Sequence, residues 1–225
     1  MGINLGGLAT SHDDVKTQAA GPAPEVLAQP GVQQVDRGNG QLSLNLSKGI
    51  SLELAKAAPS LKHVLVGCGW DVAQGASMDL DVFALLLHNG KIHDTSDIIY
   101  FGQLVTGKGV KLDGDNRTGE GEGDDEKLHV DLDRVPSDVT SIMFFVSIYE
   151  AAKKSQNFGM VQNAYVRLVN EDTNKEECIY VLNEEGGLFN TFQFAELKRS
   201  GSGWTFDTIG EGSNGDVQTI ANKYA

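Results

Sequence analysis

The chain has 225 residues, of which 40% are hydrophobic and 22% charged, enough for one sizeable core and too apolar for a disordered chain. Its formal net charge of -13 repels nucleic-acid phosphates and bare anionic membrane surfaces and attracts cations, which argues against direct DNA or RNA binding. Cys68 and Cys178, the only cysteines, each sit in an apolar stretch, and the Met-Gly-Ile-Asn-Leu-Gly start carries neither a signal-peptide core nor a membrane span, so a cytoplasmic protein in a reducing compartment is expected.

Residues 1–40 include Ala-Ala-Gly-Pro-Ala-Pro and Gln-Pro-Gly and hold few large apolar side chains, which predicts a flexible N-terminal extension before a domain over residues 41–225. From Gln41 the pattern changes. Leu42, Leu44 and Leu46 alternate with polar residues, as do Ile50, Leu52 and Leu54, and the intervening Ser47-Lys48-Gly49 turn predicts a hairpin. Short runs rich in branched and aromatic residues follow over 62–70, 80–88, 97–101, 127–132, 141–149, 165–169, 178–182, 189–198 and 204–209, with a turn at 200–203 joining the last two. No sustained helical period separates them, so the pattern predicts an all-β antiparallel sandwich, since a βαβ fold needs a helix of ten residues or more between strands. Two short helices are expected, over 150–156 and from an Asp216 N-cap to Tyr224.

The stretch from Asp113 to Glu126 places seven acids and four glycines in fourteen residues, opposed within it only by Arg117. Carboxylates packed this closely repel one another, and a bound cation relieves that repulsion. Oxygen-only donors select a hard ion, and calcium tolerates the irregular geometry of a loop better than magnesium does. No EF-hand fits, because Arg117 and Thr118 occupy positions where that loop needs a ligand and a glycine. Asp71 ends an apolar run, and Asp79 and Asp81 stand at i and i+2, so both leave one face of an extended chain. An isolated acidic run is as often a solvated loop as a site. The separate acids at strand ends favour the site.

Other residues read more plainly. His63, His88, His93 and His129 lack zinc-ligand spacing and are expected to be ordinary surface or partly buried histidines. There is no nucleophile elbow, P-loop lysine or dinucleotide fingerprint, so no catalytic residue and no organic cofactor is expected. Trp70, Trp204, Phe144, Phe145 and Tyr165 fall in strand patterns and read as core.

Several segments together resemble the tellurium-resistance TerD family of general stress, calcium-binding proteins. They are Lys62-His63-Val64-Leu65-Val66-Gly67, Gly69-Trp70-Asp71, Asp79-Leu80-Asp81, Gly114-Asp115-Asn116-Arg117-Thr118-Gly119-Glu120, Gly123-Asp124-Asp125-Glu126, Val135-Pro136-Ser137-Asp138-Val139 and Ala164-Tyr165-Val166-Arg167-Leu168-Val169. The resemblance covers residues 42–212 and is most specific from Gly114 to Glu126. It implies a calcium-binding β-sandwich linked to tellurite and stress responses. The ligands it implies are Asp71, Asp79, Asp81, Asp115, Asn116, Glu120, Asp124, Asp125 and Glu126. These exceed one calcium shell, so two Ca2+ ions are expected. The sequence departs from the family pattern at Ser77, near which relatives carry another acid, and at Glu150, where an Asp is usual. The resulting expectation is a non-enzymatic calcium-dependent adaptor or scaffold. Its partners would be other stress- and tellurite-resistance proteins, including membrane-associated complexes, and its location cytoplasmic or peripheral at the inner membrane face. The alternative is a metal-dependent hydrolase or phosphotransferase using the same carboxylates.

Overall fold

Alternating side chains along thirteen strands build two stacked sheets, described in a computed structural model for residues 21–38, 40–72, 78–113, 123–182, 187–201 and 203–225. The chain opens with a short helix α1 (Pro24–Leu27), then strands β1 (Val32–Asp36), β2 (Leu42–Leu46) and β3 (Ser51–Glu53) and a single helical turn α2 (Leu54–Ala57). Strands β4 (His63–Val72), β5 (Leu80–Leu87), β6 (Ile98–Ile99), β7 (Val110–Leu112), β8 (Glu126–Asp131) and β9 (Ser141–Ile148) follow. After α3 (Ala151–Lys154) come β10 (Val161–Asn170), β11 (Lys175–Val181), β12 (Thr191–Ser200) and β13 (Gly203–Ser213), and the chain closes on α4 (Val217–Ala221). The first sheet has the order β1-β2-β11-β10-β4-β8-β7 and the second β3-β13-β12-β9-β5-β6. The expected all-β sandwich is the observed architecture. One strand pair, β2 with β11, runs parallel; the others are antiparallel.

The main core lies between the sheets. Val64, Val66 and Cys68 of β4 and Leu128 and Val130 of β8 meet Leu80, Val82, Phe144 and Phe194 of the second sheet, all buried. Burying each of these valine, leucine and phenylalanine side chains contributes roughly 1.5–3 kcal/mol. Leu-Asp-Val-Phe-Ala-Leu-Leu-Leu in β5 and Ser-Ile-Met-Phe-Phe-Val-Ser-Ile in β9 are buried throughout because their outer face is covered too. There Phe83, Leu85, Leu87, Met143 and Phe145 pack beneath Ile220 and Ala221 of α4. Phe83 and Phe145 stack with centroids 4.9 Å apart. Asp216 caps α4 as its sequence predicts, its Oδ1 accepting from the Thr219 N–H at 2.8 Å.

Three expectations change. Ser47-Lys48-Gly49 does not close a hairpin, because β2 pairs within the first sheet and β3 pairs with β13 in the second. The turn instead carries the chain between layers and is pinned by Thr208, whose Oγ1 donates to Ser47 O at 2.7 Å and accepts from Ile50 N at 2.9 Å. Residues before Gln41 are not wholly an appendage: Val26 is buried, and β1 adds an edge strand in register from Val32↔Leu46 to Asp36↔Leu42. Residues 1–20 lie outside the described residues. Tyr165 is not a core residue but stands on the outer face of the first sheet, in a hydrogen bond to Asp124.

Cys68 and Cys178 are unpaired and fully buried, as their apolar surroundings predict. Burial pushes both thiols well above their ordinary range, which makes them poor nucleophiles. Among the described residues no helix is long and apolar enough to cross a membrane.

Candidate metal centre at the acidic rim

The strand pairings collect the acidic residues at one rim of the sandwich. Residues 149–160 leave β9 beside Leu80, which is paired with Ile148, and enter β10 beside Val72, which is paired with Val161. The end of β4, the start of β5 and the start of β8 therefore share that rim, because β8 runs antiparallel to β4 with Cys68 opposite Glu126. Asp71, Asp79, Asp81, Asp124, Asp125 and Glu126 all sit there. Asp115, Asn116 and Glu120 lie outside the described residues.

On the outer face of the first sheet stand Asp71, Asp124 and Asp125. Asp71 follows Gly67 and Gly69 on the alternation of β4, away from the core positions Val66, Cys68 and Trp70. It is exposed, and its Oδ2 accepts from Asn163 Nδ2 at 2.7 Å. Asp125 extends the strand ladder, its N–H donating to Cys68 O at 2.9 Å, while its Oδ2 accepts from the Trp70 N–H at 2.9 Å. Burial raises its carboxyl above the usual range, and the negative charges of Asp124 and Asp71 raise it further against the opposing Trp70 hydrogen bond. A cation beside Asp71 and Asp125 would remove that penalty.

Asp124, one of the expected ligands, is engaged by side chains of β10. Its side chain is 1% exposed and lies flat over Gly67, with Arg167 Nε 2.7 Å from Oδ1 and Nη2 2.9 Å from Oδ2. The Tyr165 hydroxyl donates to the same Oδ1 at 3.1 Å. Both carboxylate oxygens are thus engaged by the protein's own donors. Burial lowers the Arg167 pKa, but the bonds and charge of Asp124 outweigh it and the net shift is upward. Burial and the Asp124 charge push the Tyr165 hydroxyl up in turn, so it stays a proton donor.

Asp81 belongs to the other face. In β5 its neighbours Leu80 and Val82 point into the main core and Phe83 points outward beneath α4, which sets Asp81 on the outer face of the second sheet, opposite Ser147. It is buried in the wall of a groove of about 670 Å³, with Glu150, Asn190 and Asp216 around it and Tyr100 and Phe101 along the apolar side. Glu150 adopts a left-handed backbone (φ 54) as it starts α3, which re-aims the chain where β9 ends. Asp79 is half-buried, and its carbonyl accepts from the Tyr149 N–H at 2.8 Å. Glu126 is buried on the inward alternation of β8 with Leu128 and Val130.

The sheets of a sandwich pack about 10 Å apart, so side chains leaving opposite outer faces diverge rather than converge. One ion shared by Asp71 and Asp81 does not fit this geometry. Two separate oxygen-lined positions do, one at Asp71 and Asp125 and one in the Asp81 groove, and their carboxylate donors suit a hard cation. Sequence reading missed Arg167, Tyr165 and Asp216 as members of the rim. The only signal was the i, i+2 spacing of Tyr165 and Arg167 on the solvent face of a strand, far from the acids they meet.

The TerD domain family model matches residues 42–224. The chain belongs to the TerD domain family. It is 44% identical over 187 residues to the tellurium resistance protein TerD of Serratia marcescens, a match covering 81% of this chain and 97% of that protein. General stress protein 16U of Bacillus subtilis (strain 168) is 42% identical over 188 residues, with 81% and 97% covered. Stress response protein SCP2 of the same organism is 36% identical over 198 residues, with 81% and 100% covered. In structure the chain is similar to a homologue of telluride resistance protein (TerD) from Streptomyces coelicolor A3(2), with a TM-score of 0.60 at 22% identity over 72% of this chain and 96% of that one. That likeness extends the TerD assignment to the fold.

Proposed function

We propose that this TerD protein is a calcium-binding module of a tellurite and stress response, working as a calcium-dependent adaptor rather than as a catalyst. The observation that carries the reading is the placement of Asp71 beside Asp125, whose carboxyl is pushed up by burial and by neighbouring acids. Asp71 and Asp125 would hold one ion and Asp81 with Glu150 a second, with Asp115, Asn116 and Glu120 as further donors. When bound, calcium supplies positive charge that cancels carboxylate repulsion at the rim. Asp124, held by Arg167, positions the β8 end of this site. The surface offered to partner proteins then changes with calcium occupancy.

Calorimetric titration of chelator-treated protein tests this. Two sites are expected, with joint Asp71→Asn and Asp125→Asn removing one and Asp81→Asn removing the other. At a hundred times its dissociation constant, calcium should stabilise the fold by about 2.7 kcal/mol for each site. Absence of heat and of any melting shift at millimolar calcium would overturn the reading. The groove beside Asp81 is the feature that favours the alternative, a metal-dependent hydrolase. Phosphoesterase activity abolished by Asp81→Asn would establish it.

A further inference from the structure

At the opposite end of β5 from the acidic rim, a short turn brings two histidines together. Asn89 and Gly90 both adopt positive φ (55° and 85°), the backbone of a two-residue hairpin turn, and His88 and Lys91 exchange N–H to O bonds of 2.8 and 3.3 Å. This folds His93 back onto His88, and the rings stack with centroids 4.0 Å apart and planes 11° from parallel. Asp138, arriving from the loop before β9, places Oδ2 3.0 Å from His88 Nδ1. One ligand atom from each of His88, His93 and Asp138 lies within 4.8 Å of the others.

The second nitrogen of His88 is fixed from behind. Its Nε2 lies 3.1 Å from Oδ1 of Asp97, a carboxylate that is 0% exposed. Asp97 is held by four donors: the His93 N–H at 2.9 Å, the Asp94 N–H at 3.2 Å, Lys108 Nζ at 2.7 Å and His88 itself. With Nε2 donating to Asp97, a metal taking the place of the proton on Nδ1 would meet the lone pair on the side where Asp138 stands.

We propose that His88 Nδ1, one nitrogen of His93 and a carboxylate oxygen of Asp138 form a binding site for a borderline divalent transition metal such as zinc, with Asp97 as the positioning residue. Two nitrogens and one oxygen are the donors of a three-ligand zinc site with an open fourth position, and this set discriminates against calcium. Tetrahedral ligands about 2.1 Å from zinc sit about 3.4 Å from one another, close to the spacing of Nδ1 and Asp138. The exposed side chains of His93 and Asp138 supply the remaining movement. The carboxylate, histidine and metal arrangement is the one in which the outer carboxylate fixes the tautomer and strengthens the ligand. Histidine, unlike the rim acids, ties this site to soft-to-borderline metals, so it is independent of calcium at the rim.

The full-length protein, saturated with calcium to occupy rim carboxylates, is titrated with zinc while His88 and His93 ring resonances are followed by NMR. One zinc per chain is expected, shifting both rings. His93→Ala and Asp138→Asn, both at exposed positions, should each weaken binding at least tenfold, and Asp97→Asn should weaken it by about 10- to 100-fold. Replacing zinc by cobalt should give the visible spectrum of a low-coordinate nitrogen and oxygen site. Zinc binding unchanged in His93→Ala, or ring resonances unmoved by zinc, would overturn the assignment and leave the cluster a histidine and carboxylate network only.

Discussion

Arg167 grips Asp124 through both sides of its guanidinium, with contacts of 2.7 and 2.9 Å to the two carboxylate oxygens. The pair spans from β10 to the entrance of β8 and fixes the chain where it leaves the acidic loop. Because the Asp124 side chain is nearly inaccessible, removal of Arg167 strands a buried charge. Arg167→Met should cost about 3 kcal/mol in urea denaturation, and a double-mutant cycle with Asp124→Asn should return a large part of it. Additive losses would mean that the two side chains do not act as a pair.

Gly67 supplies the space for that grip. A Cβ there would come within 2.3 Å of Asp124 Oδ2 and 2.4 Å of its Cγ. The residue has no positive φ, so Gly67→Ala tests space rather than backbone strain. A loss of about 1–3 kcal/mol is expected, with the Asp124 carboxylate displaced from Arg167 in a crystal structure of the variant. Full stability would show that the carboxylate has room elsewhere.

His63 at the far end of β4 gives a pH signature remote from the acidic rim. Its Nδ1 lies 2.8 Å from Asp172 Oδ1, and that hydrogen bond, then the Asp172 charge, raises the imidazole above its ordinary 6.5. A histidine with a raised folded-state pKa contributes stability that is complete below its unfolded value and lost as pH rises through the folded one. The melting-temperature gap between wild type and Asp172→Asn should therefore be widest below pH 6.5 and narrow above it. An NMR titration should place the His63 midpoint above 6.5 in the wild type and lower in the variant.

The outer compartment beneath α4 rests on Ile220, which is 1% exposed against Phe83 and Phe145. Ile220→Ala should cost about 2–5 kcal/mol by denaturant titration. A loss under half a kcal/mol would show that α4 contributes little to covering the second sheet.

How much was legible in the sequence differs between the fold and the rim. Strands such as residues 141–149 and 204–209 announce themselves because branched and aromatic residues cluster between turn residues. β1 and β7 do not: Val-Gln-Gln-Val-Asp and Val-Lys-Leu are short edge strands, stabilised by a single neighbour each rather than by their own pattern. The corner at Ser47-Lys48-Gly49 reads locally like a hairpin, and only Thr208, distant in sequence, makes it a crossing between sheets. The acids at strand ends were legible as a group, but their division between two outer faces depends on which sheet each strand joins. His88 and His93 carry the four-residue separation of a zinc histidine pair, but no cysteine pair accompanies them and Asp138 comes from a separate loop, so the linear pattern does not single them out.

The double burial of β5 and β9 has a consequence for how the second sheet finds its alignment. A strand with one wet side is kept from slipping by a single residue because the slip would drown its greasy side chains and dry its polar ones. Neither Phe83-Ala84-Leu85 nor Met143-Phe144-Phe145 offers that safeguard, since both sides are apolar-lined. The alignment must be set by polar punctuation at the two ends: Asp81 facing Ser147 with the Tyr149 N–H on Asp79 O, and Ser141 facing Leu87 with the Thr140 N–H on Leu87 O. The acidic residues nearest the groove thus serve as alignment marks for the sheet that carries them.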